Sequence, residues 1–193
     1  MPKVVDPDER RRAVVDALFA VVRREGMSGV SVRVVAAEAG LSPGAMRHYV
    51  TSQSDLLQLA TRAVADRVAT RLGSHRSVQG LDDLVDLLAE VVPLDDERRS
   101  EAEVWLALVV ESRTDPRLAP LARETHEGLR AMAATVVRAV APALPPQSAE
   151  VEVDRLHAVV DGLALHGVLH PDAATPGRIR AALRAHVEAL AAR

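Results

Sequence analysis

Apolar residues along this chain recur every three or four positions, the spacing that lines one face of an α-helix. Val14, Leu18 and Val21 trace one such stripe, and Leu56, Leu59, Ala63 and Val64 a second. Leu156, Val160, Leu163 and Gly167 form a third, and Ile179, Leu183, Val187 and Leu190 a fourth. Capping residues punctuate the stripes. Asp6-Pro7, Ser42-Pro43, Asp115-Pro116 and Thr175-Pro176 each set a side-chain acceptor before a proline, which at a first helical position lacks only an N–H that would go unpaired. Asp6 with Glu9 and Ser52 with Asp55 also have capping-box spacing. The pattern predicts nine helices, at about 7–25, 32–39, 43–49, 53–72, 81–92, 96–113, 116–140, 149–169 and 176–191. Breaks fall near Gly73–Gly80 and Pro142–Ser148. Val30–Val35 could pass for a strand, but the chain offers it no partner, and the Ala36-Ala37-Glu38-Ala39 that follows is a strong helix former. It is read as helix.

Composition narrows the class. The 193 residues are 48% hydrophobic and 26% charged, as expected of a soluble globular chain. No apolar run reaches the roughly 18 to 20 residues that span a bilayer, and residues 1–12 carry no apolar signal core. The absence of cysteine excludes disulfides, thiolate zinc sites and cysteine nucleophiles together. A cytoplasmic location follows as the expectation. Phe19, Tyr49 and Trp105 are the only Phe, Tyr and Trp, so no multi-aromatic cage for a quaternary ammonium can be assembled. The net charge is −3, unevenly spread: residues 1–50 hold eight Lys/Arg against six Asp/Glu, the remainder sixteen against twenty-one. A mildly basic head on an acidic body suits a protein that offers phosphate one end only.

The most specific signal is residues 30–57, VSVRVVAAEAGLSPGAMRHYVTSQSDLL. Ser31 can cap a short helix that ends at Gly40, a residue free to take the left-handed turn. Leu41 can plug the core, and Ser42-Pro43 immediately starts a second short helix. Two short helices joined by a tight turn containing glycine fit a DNA-reading helix-turn-helix. The small Gly44 and Ala45 let the second helix approach a groove floor closely, and its N-terminal N–H groups can meet a phosphate. Arg47, His48 and Tyr49 supply donors on its exposed side, and Arg33 is placed for the backbone. Tyr49 also fits a core aromatic, and Arg47 a solvated surface charge.

With a first helix ending at Glu25-Gly26, this motif, and TSQSDLL opening a long fourth helix, the chain resembles the tetracycline-repressor (TetR) family of one-component regulators. Its GAMRHYV form is similar to the subgroup of betaine-synthesis regulators. Length and helix count extend the resemblance over the whole chain, with specific motif over about residues 8–57. The resemblance implies an all-α fold, with a three-helix helix-turn-helix head (residues 1–52) joined to a six-helix effector-binding and dimerisation body (residues 53–193). It implies phosphate contacts from Ser31, Arg33, Ser42, His48, Tyr49 and Gln53. Base-edge contacts would come from Gly44, Ala45 and Arg47, with Arg47 placed for bidentate guanine recognition. Two positions depart from the family pattern. Val50 stands where an aromatic is usual, and Gln53 where a lysine is usual. Each lost phosphate contact lowers the log–log salt slope by ~0.9, so operator binding weaker than the family norm is expected.

For the body, the resemblance implies an effector pocket within helices five to seven, with Trp105, Leu108, Val109, His126, Leu129, Met132, Val136 and Asp161 as candidate lining. Helices eight and nine would pair with those of a second copy as a four-helix bundle. The residues permit this through the stripes Leu156, Val160, Leu163, Gly167 and Ile179, Leu183, Val187, Leu190. The implied partners are a double-stranded DNA operator, a small-molecule effector of aliphatic or mixed character, and a second copy; no membrane and no cofactor enter. The expected activity is repression relieved by the effector.

Two rival readings stand beside this one. His166 with His170, and His157 with Asp161, sit four apart on one helix face. Yet Gly167 follows His166 where a zinc-protease pattern requires glutamate, and Pro171 ends the helix, so no metal site is expected. The second rival is a helical protein that kept the fold, lost DNA binding, and acts through ligand, metal or protein contacts. No nucleophile–base constellation appears, and no enzymatic activity is expected.

Overall fold

The stripes fold as helices at or near their expected places. The structure is a computed structural model and describes residues 7–74 and 80–193. Among those residues the regular structure is entirely helical: α1 (Pro7–Glu25), α2 (Val32–Glu38), α3 (Pro43–Met46), α4 (Gln53–Ser74), α5 (Leu81–Ala89), α6 (Asp96–Glu111), α7 (Ala119–Val140), α8 (Pro146–Leu169) and α9 (Pro176–Ala191), with a 3-10 turn at Met27–Gly29. Asp6, expected to cap α1, lies outside the described residues, as does most of the break between residues 73 and 80.

The local signals around the reading segment act as their chemistry dictates. The Ser31 hydroxyl oxygen accepts from the Val34 N–H at 3.2 Å, and that of Ser42 from the Ala45 N–H at 3.2 Å. Gly40 takes φ +65°. Its N–H reaches the Ala37 carbonyl at 3.1 Å while the Leu41 N–H reaches Ala36 at 2.9 Å, the paired bonds that close a helix through a left-handed residue. Ser52 and Asp55 cap reciprocally. The serine hydroxyl accepts from the Asp55 N–H at 3.1 Å, and the carboxylate accepts from the Ser52 N–H at 3.0 Å.

Four boundaries differ from expectation by three residues. α3 stops at Met46 because the chain tightens into three-residue bonds, His48 N–H to Ala45 and Tyr49 N–H to Met46. α5 stops at Ala89, where Arg71 Nη2 takes the Glu90 carbonyl at 3.1 Å. α8 begins at Pro146, three residues early, with its first bond running from Ala149 N–H to the Pro145 carbonyl. α7 begins at Ala119 rather than at Pro116 because Asp115 is not a cap. Its carboxylate accepts from the Arg117 N–H, the Arg117 guanidinium and the Ser54 hydroxyl of α4. Arg117, with help from Ser54, holds that carboxyl well below the usual carboxylate range.

Two apolar clusters form the interior. The first joins α1 (Val14, Leu18, Phe19, Val22), Val35, Met46 and Val50 to Leu56, Leu57 and Ala60 of α4 and to Val104 and Leu108 of α6. The second joins Leu84, Val85 and Leu88 of α5 and Val136 and Val137 of α7 to α8 and α9. Here the residues expected at the dimer interface need reassigning. Leu156, Val160, Ile179, Leu183, Val187 and Leu190 are buried inside the single chain, and Leu163 packs half-buried against them. Those stripes face α5 and α7, not a second copy. Gly167 is likewise internal, since a Cβ there would lie 2.3 Å from Pro93 Cγ and 3.0 Å from Ile179 Cδ1. Because the obstruction is a proline ring, Gly167→Ala is expected to cost about 1–3 kcal/mol of stability by overpacking, read as a lower urea midpoint at unchanged slope. An unchanged midpoint would mean the α5–α6 turn yields freely.

Candidate nucleic-acid interface and ligand cavity

The reading segment presents its donors as a cluster. Arg33, Ser42, Gly44, Arg47 and His48 are exposed, Ser31, Ala45 and Tyr49 are half-buried, and Met46 beneath them is fully buried. Tyr49 also packs, half-buried, against the first apolar cluster. The capping serines keep a hydroxyl hydrogen free, because each uses an oxygen lone pair to accept its N–H. Gln53 is differently occupied. Its amide Nε2 donates to the Val30 carbonyl at 2.9 Å, tying the start of α4 to the chain before α2. The Asp55 carboxylate also sits at this helix start, accepting from the Thr51 N–H at 2.8 Å and the Thr51 hydroxyl at 2.7 Å.

Head and body are bound through α4 and α6. Arg67 of α4 lies over the Phe19 ring of α1, 4.0 Å from its centroid. Glu103 of α6 accepts from the Met27 N–H at 3.1 Å, just beyond Gly26, whose φ is +69°. Burial pushes the Glu103 carboxyl up.

A cavity of about 630 Å³ opens between α4, α6, α7 and α8. Its apolar wall includes Val64, Val68, Leu72, Trp105, Leu129 and Met132, and its polar wall includes Asp161, Glu124, Arg98, Glu90 and Glu101. Four of the eight expected pocket residues, Trp105, Leu129, Met132 and Asp161, therefore line it. The other four do not. Leu108 is fully buried in the head-side cluster and Val136 in the body-side cluster, while Val109 is exposed on α6. His126 is exposed on α7, its ring 4.6 Å from that of His157. These four fall out because helical spacing alone does not say which neighbour a face meets. His157 is buried behind Asp161, with Nε2 3.4 Å from Oδ2. Burial pushes this imidazole down and the Asp161 carboxyl up.

Sequence reasoning missed the polar floor of this cavity. Arg71 of α4 binds Glu101 at 2.6 Å and Glu90 at 2.8 Å, and Arg98 binds Glu90 at 2.7 Å. The partners lie 19 and 30 residues from Arg71, beyond any local pattern. The rings of His166 and His170 stack 5.9 Å apart at the end of α8.

A family model for the C-terminal part of BetI-type transcriptional repressors matches residues 81–192. The chain belongs to the TetR family. The TetR-family relatives include the HTH-type transcriptional regulator PksA of Bacillus subtilis, 34% identical over 98% of this chain and 94% of its own. A transcriptional regulator from Rhodococcus sp. Rha1 shares the fold at TM-score 0.80 and 30% identity, over 93% of this chain and 95% of its own. The multidrug binding protein EbrR, solved with imidazole, aligns at TM-score 0.63 and 28% identity, over 94% and 96% of the two chains. This TetR-family chain is a DNA-binding transcriptional regulator rather than an enzyme. Nothing among these relatives supports a form that has lost DNA binding.

Proposed function

We propose that this regulator represses as a two-fold dimer and leaves its operator when a small molecule fills the 630 Å³ cavity. One observation carries the reading: α4 belongs to both sites. Its first residue is tied to the reading segment through Gln53 and Val30, and its stretch from Thr61 to Leu72 walls the cavity. A ligand that shifts α4 shifts the reading head with it, and differential affinity of ~1–3 kcal/mol changes operator binding roughly 5- to 150-fold. EbrR, with imidazole, supports a small-molecule effector for this branch. The wall of Trp105, Leu129 and Met132 beside Asp161 and Glu124 suits an apolar body bearing one or a few polar groups. With Phe19 and Tyr49 packed in the head-side cluster, Trp105 is the one Phe, Tyr or Trp ring on that wall.

In this reading residues 1–52 read DNA and residues 53–193 bind effector and partner in the cytoplasm. No described helix is long and apolar enough to cross a membrane. Dimerisation uses the outward faces of α8 and α9, opposite the stripes that build the protomer core. Val151 and Leu169 are exposed on α8, 52% and 54%, and lie about five turns apart on one line. Exposed Ala182, Ala185 and Ala189 supply a flat face on α9.

Arg47 reads a base edge, and Ser42, His48, Arg33 and Tyr49 meet phosphate. Arg47→Ala is therefore expected to weaken specific operator binding by about 1–3 kcal/mol, 5- to 150-fold, with thermal stability unchanged. Titration of labelled operator and of scrambled DNA separates the outcomes. An equal loss on both would make Arg47 a backbone contact, and no loss on either would remove it from the interface.

A further inference from the structure

A second cleft, about 310 Å³, lies between α1, the turn after α3 and the first half of α4. Its polar side is formed by Arg11, His48, Tyr49, Asp55, Gln58 and Arg62. Among the described residues, no ion pair or hydrogen bond engages the guanidinium of Arg11 or Arg62. That is unlike the arginines further along the same helix: Arg67 meets Asp16 and Glu97, and Arg71 meets Glu90 and Glu101. The one carboxylate in the lining, Asp55, is held through one of its two oxygens by the start of α4. Asp55 Oδ2 accepts from the Thr51 hydroxyl, the Thr51 N–H and the Ser52 N–H, at 2.7, 2.8 and 3.0 Å. Two guanidinium forks from different helices, unpaired among the described residues, thus share a cleft with a phenol, an amide and an imidazole. Donors that outnumber the single Asp55 carboxylate in this way suit an oxyanion, which guanidinium binds through paired N–H groups.

We propose that this cleft is a binding site for a phosphate-sized oxyanion, gripped by Arg11 and Arg62 and completed by Tyr49 and Gln58. Occupancy has a regulatory consequence. His48 and Tyr49 are also the groups offered to operator phosphate, so a bound oxyanion competes with DNA for them. Arg11 and Arg62 also line the larger cavity, which places the oxyanion at the wall between effector and reading head. Two sources carry the chemistry: a free phosphorylated small molecule, or a phosphate of the operator backbone.

Calorimetry of the full chain with inorganic pyrophosphate, without DNA and in chloride buffer, tests the site independently of the DNA reading. Saturable binding is expected, weakened about tenfold or more in the Arg11→Gln/Arg62→Gln double variant, as for loss of charge-assisted hydrogen bonds. Arg62→Lys, which keeps the charge but not the fork, should recover part of the affinity, and circular dichroism checks that each variant folds. In a parallel titration of labelled DNA from the upstream region of its own gene, pyrophosphate should release the protein beyond sodium chloride at equal ionic strength. No saturable heat, or heat unchanged in the double variant, overturns a free-ligand site. If pyrophosphate fails to bind while the double variant loses operator affinity and salt slope, ~0.9 per contact, the oxyanion is the DNA backbone and the free-ligand proposal is overturned in its favour.

Discussion

Replacing Arg71 by methionine is expected to lower the unfolding free energy by about 3–5 kcal/mol. Arg71 binds Glu101 with both terminal nitrogens, at 3.0 and 2.6 Å, and Glu90 through Nε at 2.8 Å. The Glu101 side chain is only 5% exposed. Removing the guanidinium leaves that carboxylate buried without its counter-charge, whereas Glu90 keeps Arg98 at 2.7 Å. The cost is that of an uncompensated charge rather than the worth of the pair, and a second change discriminates the two. In Arg71→Met/Glu101→Leu no charge is stranded, and most of the loss should be recovered. Urea unfolding of the wild type and the three variants completes the cycle. A loss below about 1 kcal/mol in the single variant would mean that water from the cavity solvates Glu101 as it would at a surface.

Leu183→Ala is expected to cost about 2–5 kcal/mol, because Leu183 is fully buried within its own chain among α5, α7 and α8. Ala185→Arg, two residues away on the exposed face of α9, should leave the helical content of the protomer intact and move the proposed dimer toward monomer. Denaturation at one fixed protein concentration and sedimentation at several concentrations separate these effects. If Leu183→Ala changed only the sedimentation and Ala185→Arg only the stability, the assignment of inner and outer faces would be reversed.

Much of the head was legible because its signals are local. A serine before a proline, a glycine after a short helix and a serine three residues before an aspartate each meet backbone groups within one turn of themselves. Ser31, Gly40, Ser42 and Ser52 accordingly do what their spacing implies. The same rule misled at Asp115, whose carboxylate is taken by Arg117 two residues on and by Ser54, 61 residues away. Gln53 was recognisable as a departure from the family pattern, but its bond to Val30 was not, since 23 residues separate the two.

The body shows the complementary limit. Periodicity alone determined that α8 and α9 each bury one stripe, because a 3.6-residue repeat leaves an apolar face that water disfavours. What covers that face depends on where other helices pack, and only the tertiary structure decided that α5 and α7 do so, leaving the opposite faces exposed. The cavity follows the same logic: Trp105 and Asp161 line it while Leu108 and Val136, also apolar and helical, fill the core. Composition determined the class of molecule, and local spacing its helices and reading motif. The long-range pairings that shape the cavity floor, the Arg11–Arg62 cleft and the direction of each buried face arise from contacts between residues distant in the chain, for which no local spacing carries a record.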